Sequence, residues 1–335
     1  MQLFIFGAGA SFGSQGAVDL RAPLINNLFS GDYANAAMTA GFRGAELREL
    51  MTALGPSGDL EAWLTMQWEG LEQLKGKSRQ ARQMQFGRIA FYIWLILVQA
   101  SLRLGLDVYG RLIAKLITRD PDFGFVDFNY DVLLDRAYSR RVGGVTLDSL
   151  DAYIRHDIIK PHGSVNWFLR PRFTDPKMPL REQEADIPTR IETAVRHMFS
   201  DDGLTCVNEV VYDPWHGDPY RSEFIANDVF SRQYSYPLIL LPLSSKMYGY
   251  VTGFDRIIEG GKTLAARATE VFIIGYRARD TIIRTILSDV PRGTVLHVVG
   301  MGEAAAIAAE IITWQPNFTA GSICEMGFES FVDNF

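Results

Sequence analysis

Short apolar runs that end at a glycine or a polar residue constrain the fold of this chain most. "LFIF" leads to Gly7, "FGFVDF" to Asn129, "VFII" to Gly275 and "VLHVV" to Gly300. Each run is too short for a helix and is apolar at nearly every position, as in a strand buried on both faces. Segments with helical spacing separate several of these runs. The pattern predicts an α/β fold, with a Rossmann-like parallel sheet and helices on both of its faces.

The rest of the chain divides by pattern into four segments. The runs "DIIKPHGSVNW" (157–167) and "YPLILLPLSS" (236–245) also predict strands. Apolar residues at three- and four-residue spacing predict a large helical insertion over about 45–119. Charge, proline and aromatic residues at about 170–228 predict a loop-and-helix excursion. We expect one domain over residues 1–335, with the helical insertion and the loop-and-helix excursion inserted into it.

Composition excludes several classes of protein. The net charge of −6 argues against a basic nucleic-acid clamp, so no direct nucleic-acid contact is expected. The two cysteines, Cys206 and Cys324, lie far apart and outside any CxxC pair, which excludes a zinc ribbon. The N-terminus lacks a secretory pattern. The most apolar stretch, Ile89–Val98, is about half the length that spans a bilayer and predicts a buried helix. We therefore expect a soluble, cytoplasmic protein.

The glycine-rich turn "GAGAS" after the first strand is typical of nucleotide-binding domains, because its amides can approach a phosphate. The dinucleotide fingerprint GxGxxG is incomplete, since Phe12 occupies the third glycine position. No strand ending in an acidic residue follows at the expected distance, and no GxxxxGK[ST] run is present. Hydride transfer and triphosphate hydrolysis both lose support. A turn that only connects strand and helix tightly remains an alternative.

The segment "FNYD" places Asn129 and Asp131 after an apolar strand. At the carboxyl end of a parallel strand, an amide and a carboxylate can hold ribose hydroxyls or order a water molecule. Asn and Asp are also favoured at the start of a helix, and "VLLDRAYSRR" follows directly. Both interpretations stay open at this point.

The segment "KPHGSVNW" places His162 after another strand-like run, beside a glycine that could give a ligand access. A histidine there is suited to general acid–base chemistry near neutral pH, although a lone histidine is more often structural. In "IIGYRARD", Gly275 ends an apolar strand and permits the close approach of a ligand.

Taken in order, "FIFGAGAS", "FNYD", "KPHGSVNW" and "IIGY…D" resemble the motifs of the sirtuin superfamily. They are more closely similar to the sirtuin-like NADase domains of bacterial anti-phage defence systems. The four-cysteine zinc module of the deacetylating sirtuins is missing, and a helical insertion replaces it. Pro161 and Arg277 depart from the residues common in the family, and Arg277 leaves the ligand contacts of its loop open.

The resemblance implies that NAD is a substrate, cleaved to nicotinamide and ADP-ribose or a cyclic form, in an abortive-infection effector. No metal is expected. Asn129 would orient the ribose and the attacking water, Asp131 would support that network, and His162 would act as general base. The residues expected to bind NAD fall into three groups: Gly7, Ala8, Gly9, Ala10 and Ser11 at the diphosphate, Asp19 and Arg21 at the nicotinamide side, and Gly275 and Gly300 at the adenosine half.

The resemblance also implies that a toxic NADase is held inactive until it assembles. We expect a homo-oligomer and a separate partner, such as a HerA-type translocase ATPase or a nucleic-acid-guided module. Phe91–Val98 is a candidate for part of the interface, with a simple core helix as the other interpretation. An NAD-dependent protein deacylase and a non-enzymatic NAD or ADP-ribose sensor remain alternative functions.

Overall fold

A computed structural model of the 335-residue chain describes residues 1–14, 21–24, 28–29, 44–54, 60–119, 122–172, 207–212, 236–240 and 253–335. The strands in this part of the chain are β1 (Gln2–Phe6), β2 (Phe123–Asp127), β3 (Ile158–Ile159), β4 (Gly163–Arg172), β5 (Val207–Tyr212), β6 (Tyr236–Ile239), β7 (Glu270–Ile274), β8 (Thr294–Val299) and β9 (Phe318–Cys324).

The helices of the same described ranges lie mostly before β2 and after β6. They are α1 (Ala8–Phe12), α2 (Gly44–Leu54), α3 (Leu60–Glu69), α4 (Gly76–Arg103), α5 (Asp107–Arg119), α6 (Leu133–Val142), α7 (Leu150–Arg155), α8 (Phe254–Arg267), α9 (Thr281–Ile286), α10 (Ala304–Trp314) and α11 (Gly327–Asn334). Short 3₁₀ turns follow α3 and α9, at Gly70–Gln73 and Leu287–Asp289.

Six described strands form one sheet in the order β3-β2-β1-β7-β8-β9, and each adjacent pair is parallel. The apolar residues of β1 are fully buried because both neighbouring strands and both faces of the sheet are covered. On one face, Phe6 packs against Tyr109 of α5 and Phe328 of α11. On the other face, Gly124 of β2 lies against Leu264 of α8. The predicted Rossmann-like sheet with helices on both faces is confirmed.

A second sheet, of antiparallel strands in the order β5-β4-β6, packs beside α4. The indole Nε1 of Trp94 in α4 donates to the carbonyl oxygen of Val165 in β4, at 2.7 Å. All ten residues of Ile89–Val98 are buried. This segment is therefore a core helix, as predicted, and it offers no surface to a partner. Within the described residues, no helix combines the length and the apolar character needed to cross a bilayer.

Two strand predictions need correction. The run 157–167 is divided: Ile158–Ile159 joins the parallel sheet, and Gly163 begins an antiparallel strand of the second sheet. Tyr236–Ile239 also belongs to the second sheet. An apolar run shows that a strand is buried, but it carries no information about which partner strand buries it.

The predicted loop-and-helix excursion at about 170–228 is wrong where the structure describes it. Residues 170–172 continue β4, and Val207–Tyr212 is β5, paired antiparallel to β4. Strand β9 was not predicted, because it lies at the sheet edge and alternates polar and small residues with few apolar ones.

The described parts of the predicted helical insertion, about 45–119, are helical throughout α2–α5 apart from short connections. Its last helix, α5, belongs to the central core, because Tyr109 contacts Phe6 and Phe328 directly. α5 is also held to α11 by Arg111, which pairs with Glu329 at 3.0 Å and with Asp333.

Candidate functional site

The carboxyl ends of β1, β2 and β7 lie side by side. Phe6, the last residue of β1, is in register with Asp127 on one side and with Ile274 on the other. The chain continues from β1 toward β2 and β3 on one side, while β7 leads to β8 and β9 on the other. The strand order thus reverses between β1 and β7, and ligands of open α/β sheets bind at such a point. The structure brings the four predicted motifs to this edge.

The glycine-rich turn and the end of β7 touch through their backbones. The Gly9 amide donates to the Gly275 carbonyl oxygen at 2.9 Å, and the Gly7 amide donates to that of Ile274 at 3.0 Å. Gly275 has a φ of 60°, and a Cβ there would stand 2.1 Å from the Ala10 amide nitrogen. Glycine is therefore required at position 275, first of all so that two backbone segments can meet.

These contacts change what the turn offers to a phosphate. The amides of Gly7, Gly9 and Ala10 all donate to protein carbonyls, the last to Gly7 at 2.8 Å. In this conformation they are not aimed at a ligand. Ala8 is exposed and is the first residue of α1, where helix amides have no intrahelical acceptor. The predicted diphosphate contact thus has its best support at Ala8.

Ser11 faces the protein interior, with 1% of its surface exposed. Its Oγ lies 3.1 Å from the hydroxyl of Tyr109 and accepts from Nδ2 of Asn129 at 3.1 Å. The prediction that this side chain donates to a diphosphate does not fit its position. Burial raises the pKa of Tyr109 well above its ordinary value, and nearby Asp131 and Asp127 add to the effect. The phenol therefore stays protonated.

Asn129 is 5% exposed and is held on two sides. Its amide N–H donates to Oδ1 of Asp127 at 3.1 Å, and its Nδ2 donates to Ser11. Its Oδ1 is buried and has no hydrogen-bond partner among the residues that the structure describes. A buried acceptor without a donor costs about 1–3 kcal/mol. Such an atom suits a hydroxyl or water that arrives with a ligand.

Asp131 lies behind Asn129, two residues before helix α6 begins at Leu133. Its Oδ1 accepts from the Leu133 amide at 3.1 Å, which is the helix-start role that the sequence left open. Burial raises the pKa of its carboxyl, while the charge of Lys160 and a hydrogen bond from Ser11 lower it in part. The structure links Asp131 to Asn129 through Ser11.

A buried lysine that the sequence analysis missed joins these segments. The Nζ of Lys160 lies 2.8 Å from Oδ2 of Asp127, 3.1 Å from Oδ2 of Asp135 and 2.7 Å from the Asp131 carbonyl oxygen. Lys160 is 0% exposed. A lysine inside the apolar run "DIIKP" was the available signal, because a buried charge needs a partner.

Burial and neighbouring charges shift the pKa values of this cluster in opposite directions. Burial raises the pKa of Asp127 to about 7, although the ammonium group of Lys160 lowers it in part. Burial also lowers the pKa of Lys160, but Asp127, Asp135 and Asp131 outweigh it, and the net pKa is raised. Lys160 is thus a permanent cation that fixes the loop of Asn129 to the segment of His162. Tyr153 extends the cluster, since its hydroxyl donates to Oδ1 of Asp135 at 2.5 Å.

His162 lies where the two sheets meet. Its carbonyl oxygen accepts from the Leu240 amide at 3.0 Å, and its Nε2 lies 2.7 Å from Oδ2 of Asp280. The imidazole packs edge-on against Phe128, with 4.8 Å between ring centroids. Asp280 lies at the end of the "IIGYRARD" segment that the sequence analysis singled out, but its pairing with a histidine 118 residues away was not predicted.

Backbone and side-chain packing explains two residues near His162, Gly163 and Tyr276. Gly163 has a φ of 80°, and a Cβ there would stand 2.0 Å from the Leu238 carbonyl oxygen. This glycine admits the backbone of β6, so the predicted access for a ligand is not its reason. Tyr276 stacks on Phe128, with centroids 4.5 Å apart, and covers Gly7 so closely that a Cβ there would clash.

The remaining predicted residues are less central. The Gly300 amide donates to the Cys324 carbonyl oxygen at 2.9 Å, one strand beyond β7. Arg21 is exposed, with its guanidinium carbon 4.8 Å from the Phe12 ring centroid. Asp19 lies outside the described residues. Within the described residues, no group of three or more His, Cys, Asp or Glu side chains could hold a metal ion.

Comparison with known proteins gives remote structural likenesses. No protein-family model matches the chain, and no curated protein matches it. A structure of Sir2 with an inhibitor, 2′-O-acetyl-ADP-ribose and a deacetylated peptide is 12% identical, with 70% of this chain and 72% of that one covered and a TM-score of 0.37. Sir2Tm with a propionylated peptide is 15% identical, with coverage of 76% and 78% and a TM-score of 0.38. A histidine-to-tyrosine variant of Sir2 with a peptide and NAD is 14% identical, with coverage of 100% and 91% and a TM-score of 0.38.

Proposed function

We propose that the chain is an NAD hydrolase, which cleaves the bond between nicotinamide and ribose and releases ADP-ribose or a cyclic form of it. The observation that carries the proposal is the buried Oδ1 of Asn129, an acceptor without a donor among the described residues at the carboxyl end of β2. The ribose hydroxyls of NAD, and a water molecule bound beside them, supply the missing donor.

His162 supplies the second requirement, a base. It is 8% exposed, and its ring is held by Asp280 and the aromatic ring of Phe128. A histidine that is held in one orientation can, in its neutral form, accept a proton from water or from a ribose hydroxyl. Ser11, Tyr109 and Lys160 orient the Asn129 loop from behind.

For the linear product, the proposed reaction balances with water as the other reactant. The water oxygen bonds to the ribose C1′ while the bond from C1′ to the nicotinamide nitrogen breaks. The electron pair of that bond goes to the nitrogen, so nicotinamide leaves as a neutral molecule. The proton of the water goes to His162 and then to solvent. The transition state has oxocarbenium character, as in glycoside cleavage, and the Asn129 amide holds the reacting groups in place.

The other contacts are proposed in outline. Ala8 contacts the diphosphate, and Gly275 and Gly300 line the adenosine half. Asp19 and Arg21 remain our candidates at the nicotinamide side. Stacking of Tyr276 on Phe128 and its contact with Gly7 leave little room above the turn, so this ring is expected to move when NAD binds.

The test measures nicotinamide release from NAD by the wild-type protein and by Asn129→Ala and His162→Ala. Loss of a positioned base costs about 10²–10⁴-fold in rate. The matched controls are Asn317→Ala and His297→Gln. Asn317 precedes β9 at the opposite edge of the sheet, and the ring of His297 lies against Phe272 on β7. Nicotinamide release that is undiminished in both site variants would contradict the proposal.

Two other functions give different results in the same assay. A protein deacylase would release nicotinamide only when an acyl-lysine peptide is added. A sensor would bind NAD or ADP-ribose without consuming it and would keep its function in His162→Ala. Analysis of the product separates linear from cyclic ADP-ribose.

We also propose that the enzyme works in anti-phage defence as a cytoplasmic abortive-infection effector and that assembly activates it. The assembly would be a homo-oligomer, joined by a separate partner such as a HerA-type ATPase or another defence module. Light scattering and nicotinamide release at a series of protein concentrations test this. A monomer that is fully active alone would contradict it.

A further inference from the structure

We infer that Asp280 is a positioning residue that fixes the tautomer of His162, so that Nδ1 is the atom that accepts the proton. The kinetic part of this inference rests on the proposed function, whereas the tautomer itself does not. Nε2 of His162 lies 2.7 Å from Oδ2 of Asp280. Both side chains are about nine-tenths buried.

The second carboxylate oxygen of Asp280 fixes the orientation of the group. Oδ1 accepts from the amide of Ile282 at 2.8 Å, which makes Asp280 the N-cap of α9. An ionised carboxylate can only accept hydrogen bonds. With Oδ1 on the helix and Oδ2 on the imidazole, the proton of neutral His162 must sit on Nε2.

The consequence concerns the opposite side of the ring. With Nε2 protonated, the lone pair of neutral His162 is on Nδ1. When Nδ1 accepts a proton from water or a ribose hydroxyl, the imidazolium that forms lies against the negative charge of Asp280. A carboxylate in this arrangement holds the tautomer and stabilises the imidazolium without itself taking up the proton.

The contact also joins the two halves of the sheet. His162 follows β3, at one edge of the parallel sheet, and Asp280 follows β7, beyond β1 and β2. The hydrogen bond therefore spans the point where the strand order reverses. Phe128 and Tyr276 stack across the same gap. The position of His162 over the site thus depends on the loop after β7 as well as on its own strand.

The decisive substitution is Asp280→Asn, because it is nearly isosteric and an asparagine also caps helices well. The oxygen of the new amide must remain on the Ile282 amide, so its NH₂ group faces His162. Nε2 must then accept, and the proton moves to Nδ1. We expect kcat to fall by about 10²–10⁴-fold while KM changes less than about 3-fold. Asp280→Ser keeps a cap and removes the histidine partner, and we expect a smaller loss of kcat.

The control Ser149→Ala removes a comparable helix cap, since Ser149 accepts from the Ala152 amide at the start of α7. It touches neither His162 nor Asp280, and we expect kcat and KM to stay at wild-type values. Thermal unfolding of all variants reports whether the fold is kept.

The readout that does not depend on activity is ¹⁵N NMR of the imidazoles in labelled protein, which has five histidines. The spectrum of His162→Gln assigns the signal of His162. Wild-type protein should show His162 protonated on Nε2, and Asp280→Asn should show the proton on Nδ1. The inference is overturned if His162 has the same tautomer in both. It is also overturned if Ser149→Ala lowers kcat as much as Asp280→Asn does. If wild-type protein releases no nicotinamide while the tautomer changes as expected, the proposed function fails and the positioning role stands.

Discussion

Lys160 and Asp127 form an ion pair of 2.8 Å that lies inside the protein, with 0% and 1% of the two side chains exposed. Lys160 comes two residues before His162, and Asp127 two residues before Asn129. The pair thus ties together the two loops that carry the candidate catalytic residues. Replacing a buried pair by apolar groups can be neutral, whereas removing one partner leaves a buried charge uncompensated.

The first prediction concerns Lys160→Met, which leaves the carboxylates of Asp127 and Asp135 without their cation. We expect the free energy of unfolding to fall by about 3–5 kcal/mol, measured by urea unfolding. The control is Lys262→Met. Lys262 also lies near two carboxylates, Glu259 at 3.4 Å and Asp289 at 3.6 Å, but near the surface, where water screens the charges and the expected loss is much smaller. Equal losses in the two variants would contradict a structural role for the buried pair.

The second prediction concerns pH. The folded protein holds the pKa of Asp127 at about 7, above the ordinary value of 3.8, so it binds this proton more tightly than the unfolded chain does. Stability from this group is therefore present at low pH and is lost as pH rises from about 4 to about 7. One proton gives a slope of at most about 1.4 kcal/mol per pH unit. Between pH 5 and pH 7, the wild type should lose stability relative to Asp127→Asn. If the difference in the free energy of unfolding between wild type and Asp127→Asn stays constant with pH, or changes in the opposite direction, the prediction is wrong.

The third prediction concerns the contact between the glycine-rich turn and β7. Gly275→Ala places a Cβ 2.1 Å from the Ala10 amide nitrogen, so the two segments must separate. Gly293 also has a positive φ, 88°, but nothing stands within 4 Å of a Cβ there. Gly293→Ala therefore measures backbone strain alone, about 1–2 kcal/mol. Gly275→Ala should lose clearly more in urea unfolding, and hydrogen exchange of the Gly9 amide should speed up. Equal behaviour of the two variants would show that the contact contributes nothing.

The fourth prediction concerns Tyr109 and Ser11, which hold the side chain of Asn129. Tyr109→Phe removes the hydroxyl that lies 3.1 Å from Oγ of Ser11, the acceptor of Asn129 Nδ2. We expect a stability loss of about 1–2 kcal/mol and a several-fold loss of nicotinamide release, because Asn129 is held less firmly. Tyr92→Phe, in the core helix α4, is the control. Tyr92 is also buried, so the substitution changes the core without touching the site, and nicotinamide release should stay unchanged. A parallel loss of activity there would mean that general destabilisation explains both.

Part of the site could be predicted from the sequence, because its residues lie at the ends of strands that the sequence identifies. The apolar runs before Gly7, Asn129 and Gly275 identify three parallel strands, and the carboxyl ends of such strands meet at one edge. The position of these residues at one site follows from that rule alone. His162 was placed correctly at the end of β3, although the strand that follows it belongs to the second sheet.

Other features could not be read in this way, because they depend on contacts between distant segments. The amides of the glycine-rich turn looked available for a phosphate until β7 brought the Gly275 carbonyl oxygen against Gly9. Ser11 looked like a surface donor until α5 brought Tyr109 behind it.

The amino-acid sequence by itself determined the buried parallel strands, the helices between them and the type of residue at each strand end. These follow from local periodicity and from the cost of burying polar groups. Only the tertiary structure decided that Lys160 neutralises the carboxylates and that Asp280 holds His162. Each of these side chains contacts a partner that lies 25 to 118 residues away in the sequence. The order of strands in the sheet decides which of such distant residues become neighbours in space.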